Sequence, residues 1–258
     1  MAMRVLKVEV EAPVCSFRYP HFLVGKQVTF PMPPPSTIYG HVASAMGGWP
    51  DPARLRFAYR FTCEGRGEDL EHQHIIWPDR GMFGSKGEYP VSVAVSIQPT
   101  RREFLFNVRL DLYLDYPDLD GLAKAFAEPR WPVVLGRSQD LACYRNIQVV
   151  ELEPSPKGYY EDTLLPFRLR YRTGRGVTLY MPRYVGPPPF REATFDRFIA
   201  LAGRVLDPGP DVAGGDDADV LLRLDGKDET LWVDPYSPEW RGARRALAFH
   251  RFVGEESA

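Results

Sequence analysis

The sequence predicts an α+β fold, because two helical segments lie among stretches that alternate with the period of a β-strand. The clearest strand covers 104–114, where every even-numbered residue is apolar. A first helix is predicted over 36–46, where apolar side chains share one helical face and Gly47 can form a left-handed C-cap. A second helix is predicted over 118–128, with Pro129 just beyond its end.

Three further strands follow from the same alternation. Apolar residues alternate with Lys7, Glu9 and Glu11 over 6–14, and similar runs cover 55–61 and 147–152. The order is strand, helix, strand, strand, helix, strand, which is the ferredoxin-like βαββαβ arrangement. We therefore expect a ferredoxin-like domain over 1–154, as in RNA-recognition (RRM) domains, although this fold hosts many other functions.

An insertion at about 63–100 separates the second and third strands and is too long for a hairpin loop. It contains five glycines and then the alternating apolar run Val91, Val93, Val95 and Ile97. We predict a β-hairpin arm, hereafter the arm, whose middle at about 78–89 is flexible without a partner.

Residues 155–258 are expected to form a smaller β-rich region with one helix. Apolar residues alternate with Arg168, Arg170 and Arg172 before a turn at 173–176, which predicts a hairpin with one cationic face. The helix is predicted over 192–206. A second hairpin over 221–233 and a closing strand over 246–253 complete the region.

Composition restricts the class of protein. A net charge of −2 over 258 residues argues against a protein that coats nucleic acid unselectively, so an RNA site has to be a local basic surface. No apolar run is long enough to span a bilayer. Three widely separated cysteines argue against a disulfide framework or a zinc site. We expect a protein of the reducing cytoplasm with no metal, no cofactor and no membrane partner.

The approach loop, residues 17–35, combines stacking and charge in the manner of single-strand RNA sites. It holds Arg18, Tyr19 and His21, and its prolines lead into the first helix, where Ser36 is the predicted N-cap and Tyr39 follows. Exposed amides at that helix end, with Lys26, Arg18 and Thr37 nearby, form a possible phosphate seat. The alternative is a packed aromatic cluster.

The arginines of the C-terminal hairpin give a second candidate. Arg168, Arg170, Arg172 and Arg175 would face a phosphate backbone at every second residue, about 6.6 to 6.8 Å apart along a strand. The alternative is a solvated strand face that is paired with acidic neighbours.

A family resemblance rests on three segments that occur in order within residues 1–150. Residues 17–47 resemble the first helix and approach loop of the Cas-five family of CRISPR-associated proteins, which are RAMP-superfamily RNA binders. Residues 99–105 resemble that family's entry into its third strand, and 134–138 resemble its Leu-Gly-Arg-Ser turn. The last two segments add Arg101, Arg102, Arg137 and Ser138 to the candidate RNA-binding residues.

The resemblance implies a non-catalytic subunit of a type I surveillance complex (Cascade). Such a subunit binds the 5′ handle of the CRISPR guide RNA, caps the backbone filament at that end, contacts the backbone and large subunits, and meets target DNA only indirectly. The arm would be the thumb that folds over the guide. Its candidate contact residues are Trp77, Met82, Phe83, Lys86 and Tyr89.

Two alternatives stay open. One is a metal-independent endoribonuclease that processes the CRISPR transcript, since some relatives cleave it with a tyrosine, a lysine and a histidine, the last two adjacent. This chain has no Lys-His dipeptide, and Tyr39, Lys86, His72 and His74 are the remaining candidates. The other alternative is a stand-alone single-strand RNA-binding protein. We expect no catalytic residues.

Overall fold

A computed structural model describes residues 2–21, 25–78, 93–209, 217–222 and 230–254. Two α-helices lie within these ranges, and strands make up most of the regular structure. The first half of the chain contains β1 Met3–Cys15, β2 Lys26–Gln27, α1 Pro35–Met46, β3 Arg56–Thr62, β4 Gly65–Pro78, β5 Val93–Asp115, α2 Leu119–Ala127 and β6 Cys143–Ser155.

The described residues of the second half form short strands and one 3₁₀ helix. Its elements are β7 Gly158–Glu161, β8 Leu164–Pro166, the 3₁₀ helix Phe167–Tyr171, β9 Val177–Val185, β10 Ala193–Ala200, β11 Arg204–Asp207, β12 Leu231–Asp234, β13 Arg245–Ala246 and β14 His250–Arg251.

The long strands pair in the order β6-β1-β5-β3, each antiparallel to its neighbour. Alternation along β1 places Leu6, Val8 and Val10 on one face of this sheet, where they join the main core. Helices α1 and α2 cover that face with side chains such as Ile38 and Phe126. The predicted helices and all four predicted strands of this half are therefore present.

Two local predictions in this half are corrected. Helix α1 begins at Pro35 after Pro34, without a side-chain cap from Ser36, because a proline at the first helical position has no N–H to satisfy. On β5 the alternation changes phase at Asn107, whose φ is 47°. Leu105 is therefore buried, whereas Phe106 is 51% exposed.

The arm is a β-hairpin, as predicted. Strand β4 pairs antiparallel with the first part of β5, from Gly65 opposite Phe106 to Pro78 opposite Val93. Pro78, the first residue of the segment predicted to be flexible at about 78–89, is the last residue of β4. The rest of that segment, with Met82, Phe83, Lys86 and Tyr89, lies outside the described residues. The backbone of Trp77 pairs with Ala94.

The predicted helix over 192–206 is wrong. That segment forms β10 and β11, which are separated at Gly203, where φ is 84°. Phe198 joins the main core, whereas Ile199 and Leu201 join a second core on the opposite face. Because this strand is buried on both faces where it ends, its apolar residues do not alternate. Their spacing therefore resembles the period of a helix.

The cationic strand predicted from Arg168 to Arg172 is also wrong. Residues 167–171 form the 3₁₀ helix, in which Leu169 is buried and Arg170 lies over the rings of Phe167 and Tyr171. The predicted hairpin over 221–233 is not formed by its described residues, because β12 pairs with β6 and β13 instead. The predicted closing strand is split into β13 and β14, which have different partners.

A buried carboxylate on β7 joins this strand to three others, one from the first half and two from the second. Glu161 on β7 is 4% exposed. Its oxygens lie 2.6 Å from Nε of Arg204, 2.7 Å from Nη2 of Arg245 and 3.0 Å from Nε of Arg60. Burial alone would raise the pKa of Glu161, but the hydrogen bond from Arg204 and the charges of Arg245 and Arg60 hold it below its usual value.

We predict that Glu161→Gln lowers the free energy of unfolding at neutral pH by about 3 kcal/mol, because three arginines lose their charged partner. The wild-type contribution is present above the unfolded pKa of about 4.3 and disappears as the pH falls through the lower folded pKa. The difference between the two proteins should therefore shrink in acid. Denaturant unfolding from neutral pH to acid measures it, with exposed Glu151→Gln as the control. A constant difference at every pH would contradict this assignment.

Candidate nucleic-acid interface

One aromatic side chain of the approach loop lies on a buried aromatic ring. The loop folds back on itself through a β-bridge between Arg18 and Thr29. This places the ring of Tyr19 against Phe30, with centroids 3.7 Å apart and planes inclined by 24°. Phe30 is fully buried, and Tyr19 is half-buried. Tyr19 therefore offers a supported surface for stacking.

One arginine lies near this ring in space, and another is its neighbour in sequence. Arg18 precedes Tyr19 in the loop, and Arg66 lies on β4; both side chains are exposed. Burial raises the pKa of Tyr19, the nearby Arg66 guanidinium opposes that rise, and Glu103 adds to it. The phenol is therefore neutral at physiological pH. Over the part of the chain that the structure describes, neither Arg18 nor Arg66 has a carboxylate within ion-pair distance.

We call the group formed by Arg18, Tyr19, Phe30 and Arg66 the Tyr19 surface. Its guanidinium groups can contact phosphates, and its ring can stack on a base. No local sequence pattern selects Arg66 or Phe30, because their positions near Tyr19 depend on pairing between distant segments.

The phosphate seat predicted at the start of α1 is weaker than expected. The ammonium group of Lys26 is held by Glu68 and lies 3.0 Å from the carboxylate of Glu103. Pro35 has no N–H, and the N–H of Thr37 donates to the carbonyl oxygen of Pro34 at 2.9 Å. The half-buried Ser36 and Thr37 thus stand at a helix end with few free amides.

Tyr39 is a core residue. At this position the alternative of a packed aromatic cluster is therefore correct. The side chain is 1% exposed, and its ring centroid lies 5.0 Å from that of Tyr184 and 5.1 Å from that of Phe252. Its hydroxyl donates a hydrogen bond to the carbonyl oxygen of Pro50 at 2.6 Å. Burial raises the pKa of Tyr39. The phenol is therefore neither accessible to RNA nor able to act as a base.

The arginines of the two short family segments differ in their surroundings. Arg101 is exposed, and Lys26 of β2 lies opposite it. Arg102 is 7% exposed, with Nε 2.6 Å from the carboxylate of Glu71. Arg137 donates to Asp140 at 2.7 Å and to Glu71 at 2.5 Å.

Arg137 belongs to a buried clamp at the base of the arm. Asp140 is fully buried and also accepts from the backbone N–H groups of Ser16 and Arg137, at 3.1 and 3.0 Å. Gly136 has a φ of 106°, and a Cβ there would lie 2.7 Å from the carbonyl oxygen of Ser16. The turn at 134–138 therefore attaches β1 to the arm through Glu71, and only Ser138 of its polar residues is exposed.

The C-terminal arginines do not form a row along a strand. Nε of Arg172 donates to the carbonyl oxygen of Leu222 at 2.7 Å, and Arg175 lies 2.5 Å from Asp219. Arg168 and Arg170 are exposed on the 3₁₀ helix. The spacing expected for phosphate contacts at every second residue is therefore absent from this described segment.

The two candidate histidines are exposed on the arm. His72 and His74 share one face of β4, opposite Pro99 and Ile97 of β5. Among the residues that the structure describes, no group of three His, Cys, Asp or Glu side chains could hold a metal ion. The three cysteines are free thiols. In the described ranges, no helix is both long and apolar enough to cross a membrane.

We predict that Arg137→Gln lowers the melting temperature by about 6 to 12 °C, which corresponds to about 3 kcal/mol, because Asp140 would keep a buried, unpaired charge. Ser138→Ala is the matched control, since it changes an exposed neighbour in the same turn. Thermal unfolding followed by circular dichroism compares the two variants. Equal melting temperatures would show that Arg137 is not part of a structural clamp.

Comparison with solved structures gives similar chains at low identity. A chain of a "CRISPR RNA-guided surveillance complex" is 16% identical over 80% of this chain and 90% of its own length, with a TM-score of 0.48. A CRISPR protein from Archaeoglobus fulgidus is 13% identical over 96% of this chain and 100% of its own, with a TM-score of 0.46. No match to a curated protein was found.

A family model described as "CRISPR-associated protein (Cas_Cas5)" matches residues 5–172. This range covers well over half of the 258 residues and includes all three segments on which the resemblance rests. The resemblance inferred from the sequence is thereby confirmed. The chain belongs to the CRISPR-associated protein family Cas_Cas5.

Proposed function

We propose that this protein is a non-catalytic subunit of a type I CRISPR surveillance complex (Cascade). It binds the 5′ handle of the guide RNA and caps the backbone filament at that end, in the cytoplasm. Family membership over residues 5–172 supports the assignment to a CRISPR complex. The observation that carries the RNA-binding part is the Tyr19 surface, where a supported ring lies near the exposed Arg66 and directly follows the exposed Arg18 in the chain.

We further infer that β1, α1, β3, β5, α2 and β6 form a ferredoxin-like βαββαβ arrangement. The order β6-β1-β5-β3 supports it, since each helix connects strands that are not neighbours and both helices pack on one face. The arm is then an insertion between the second and third strands of that arrangement.

The face of this sheet that α1 and α2 do not cover is a poorer RNA site than the Tyr19 surface. It carries Glu11, whose carboxylate lies 2.8 Å from Nε of Arg145 and 3.8 Å from Nε of Arg109. Glu9 on the same strand accepts from the amide of Asn146. Acidic and basic groups are balanced there, and a polyanion gains little from such a surface.

The geometry around the candidate catalytic tyrosine supports a non-catalytic role. Metal-independent RNA cleavage needs a base near the 2′-hydroxyl and an acid near the leaving oxygen. Tyr39 is buried and donates to Pro50, and burial also keeps Tyr19 neutral. His72 and His74 remain on the arm, and Lys86 lies outside the described residues.

The arm has apolar groups that support contact with a partner. Leu70 on β4 and Ile97 on β5 are 61% and 58% exposed. They lie on one face of the hairpin together with Arg101, which is opposite Leu70. A face of exposed apolar side chains near a basic one is suited to an assembly in which RNA and an adjacent backbone subunit meet.

We predict that Arg18→Gln and Arg66→Gln each weaken binding of labelled handle RNA and each reduce its salt slope by roughly 0.7, because each removes one phosphate contact. Tyr19→Leu should cost about 1 to 3 kcal/mol of binding free energy, since one stacking ring is lost. Fluorescence anisotropy over a salt series measures both effects. Exposed Arg54→Gln is the matched control. An unchanged slope in the Arg18/Arg66 double variant would show that the RNA lies elsewhere.

We also predict that the purified chain leaves labelled repeat RNA intact in excess chelator, because the described tyrosines of the site cannot act as bases. Denaturing gel electrophoresis over a time course detects any product. A product that persists in chelator and disappears in the His72→Ala/His74→Ala double variant would establish the endoribonuclease alternative.

A further inference from the structure

A second exposed surface runs across the C-terminal half and extends beyond the residues 5–172 that match the family model. It is a continuous row of aromatic rings and guanidinium groups on β9, β10 and the 3₁₀ helix. We call it the aromatic–arginine row; its members in spatial order are His21, Phe195, Tyr180, Arg197, Phe167, Arg170 and Tyr171.

The first part of the row is a stacked ring pair on the β9–β10 hairpin. The centroids of Tyr180 and Phe195 lie 5.3 Å apart, with planes inclined by 26°. Tyr180 is 53% exposed, and Phe195 is half-buried beneath it. The ring of His21 from the approach loop lies 6.2 Å from Phe195. Because His21 follows Tyr19 by two residues, the row adjoins the Tyr19 surface.

The second part of the row alternates charge and rings. Arg197 lies directly opposite Tyr180 in the β9–β10 pairing, and its guanidinium carbon is 5.4 Å from the centroid of Phe167. The guanidinium carbon of Arg170 lies 4.5 Å from the Phe167 centroid and 4.1 Å from that of Tyr171. Tyr171 is 70% exposed at the end of the row.

The charges of this row are uncompensated where the structure describes its surroundings. No ion pair to Arg170 or Arg197 is present among the described residues, in contrast to Arg172 and Arg175 nearby. The closest acidic side chain in sequence, Asp196, accepts from Nη1 of Arg183 at 3.3 Å and from the backbone N–H of Arg197 at 2.7 Å, not from the Arg197 guanidinium. A guanidinium that stacks on a ring still has N–H groups at its edge, and these can donate to phosphate oxygens.

These features favour a single-stranded nucleic acid over a protein partner. A protein interface with this many rings would bury apolar side chains around a dry centre, whereas here two guanidinium groups lie among the rings. A single strand presents bases to rings and phosphates to guanidiniums in the same alternation. Tyr180 and Arg197 sit on paired strands, so their positions are fixed before any ligand binds.

We propose that the aromatic–arginine row binds single-stranded RNA by base stacking on Tyr180 and Tyr171 and by phosphate contacts from Arg197 and Arg170. The row is a second contact for the same RNA strand that the Tyr19 surface binds. His21 lies where the two surfaces meet. The choice of RNA as the ligand rests on the proposed function.

The test uses the full-length chain and a labelled single-stranded uridine oligonucleotide that contains 4-thiouridine. Crosslinking followed by peptide mass spectrometry should place crosslinks within 177–185 or 193–200. In parallel, Tyr180→Leu/Phe195→Leu should weaken binding about fivefold to a hundredfold, as expected for a lost stacking contact. Arg170→Gln/Arg197→Gln should lower the salt slope by about 1.4.

Arg54→Gln is the control for a general loss of charge, and melting temperatures show that the variants are folded. Crosslinks on wild-type protein do not depend on how any variant folds. Crosslinks confined to the approach loop and arm, with wild-type affinity in both double variants, would overturn the row while leaving the proposed function intact. A wild-type chain that binds neither this probe nor handle RNA would overturn both.

Discussion

The packing of Tyr39 is the interaction on which the relation between the two halves depends. One buried ring ties α1 to Tyr184 of β9 and to Phe252 near the end of the described chain. The approach loop leads into α1, and β9 carries Tyr180. Both surfaces that we propose to contact RNA therefore belong to elements that meet at this ring, and the core fixes how far apart they lie. Tyr39, which the sequence analysis placed in the RNA site, thus has a structural role, since it positions the elements that carry the two surfaces.

Burial divides the arginines into two groups with different roles. Arg102, Arg137 and Arg245 are largely buried and are matched by carboxylates, because an unpaired charge inside a protein is costly. Arg18 and Arg197 are exposed, and hydration alone can support their charge. The net charge of −2 is consistent with this division. Because the buried arginines are paired with acidic residues, the net charge of the whole chain does not reveal a local cationic surface.

Sequence patterns located the elements that bury mainly one face and failed where both faces are buried in a short stretch. Along β1, β3 and β5 alternate residues enter the main core, so the period of their apolar residues is informative, even though Val5, Ala58 and Tyr113 join a third cluster on the opposite face. At β10, Phe198 and Ile199 enter different cores, and the period is lost. The candidate nucleic-acid interface shows the same limit of local sequence patterns. Tyr19 was recognisable from local composition, whereas Arg66 and Phe195 come near the approach loop only through pairings between distant strands, which no local pattern encodes.

The arm has a consequence for self-association. Within the described residues, β4 pairs with β5 along one side and with no strand along the other. An unpaired edge of this length is a template on which further copies of the chain could add strands. Exposed charged side chains, Arg66, Glu68 and Asp69, lie along it, and pairing with a further strand would remove water from them. These charges are therefore a device that limits the addition of strands to a long open edge.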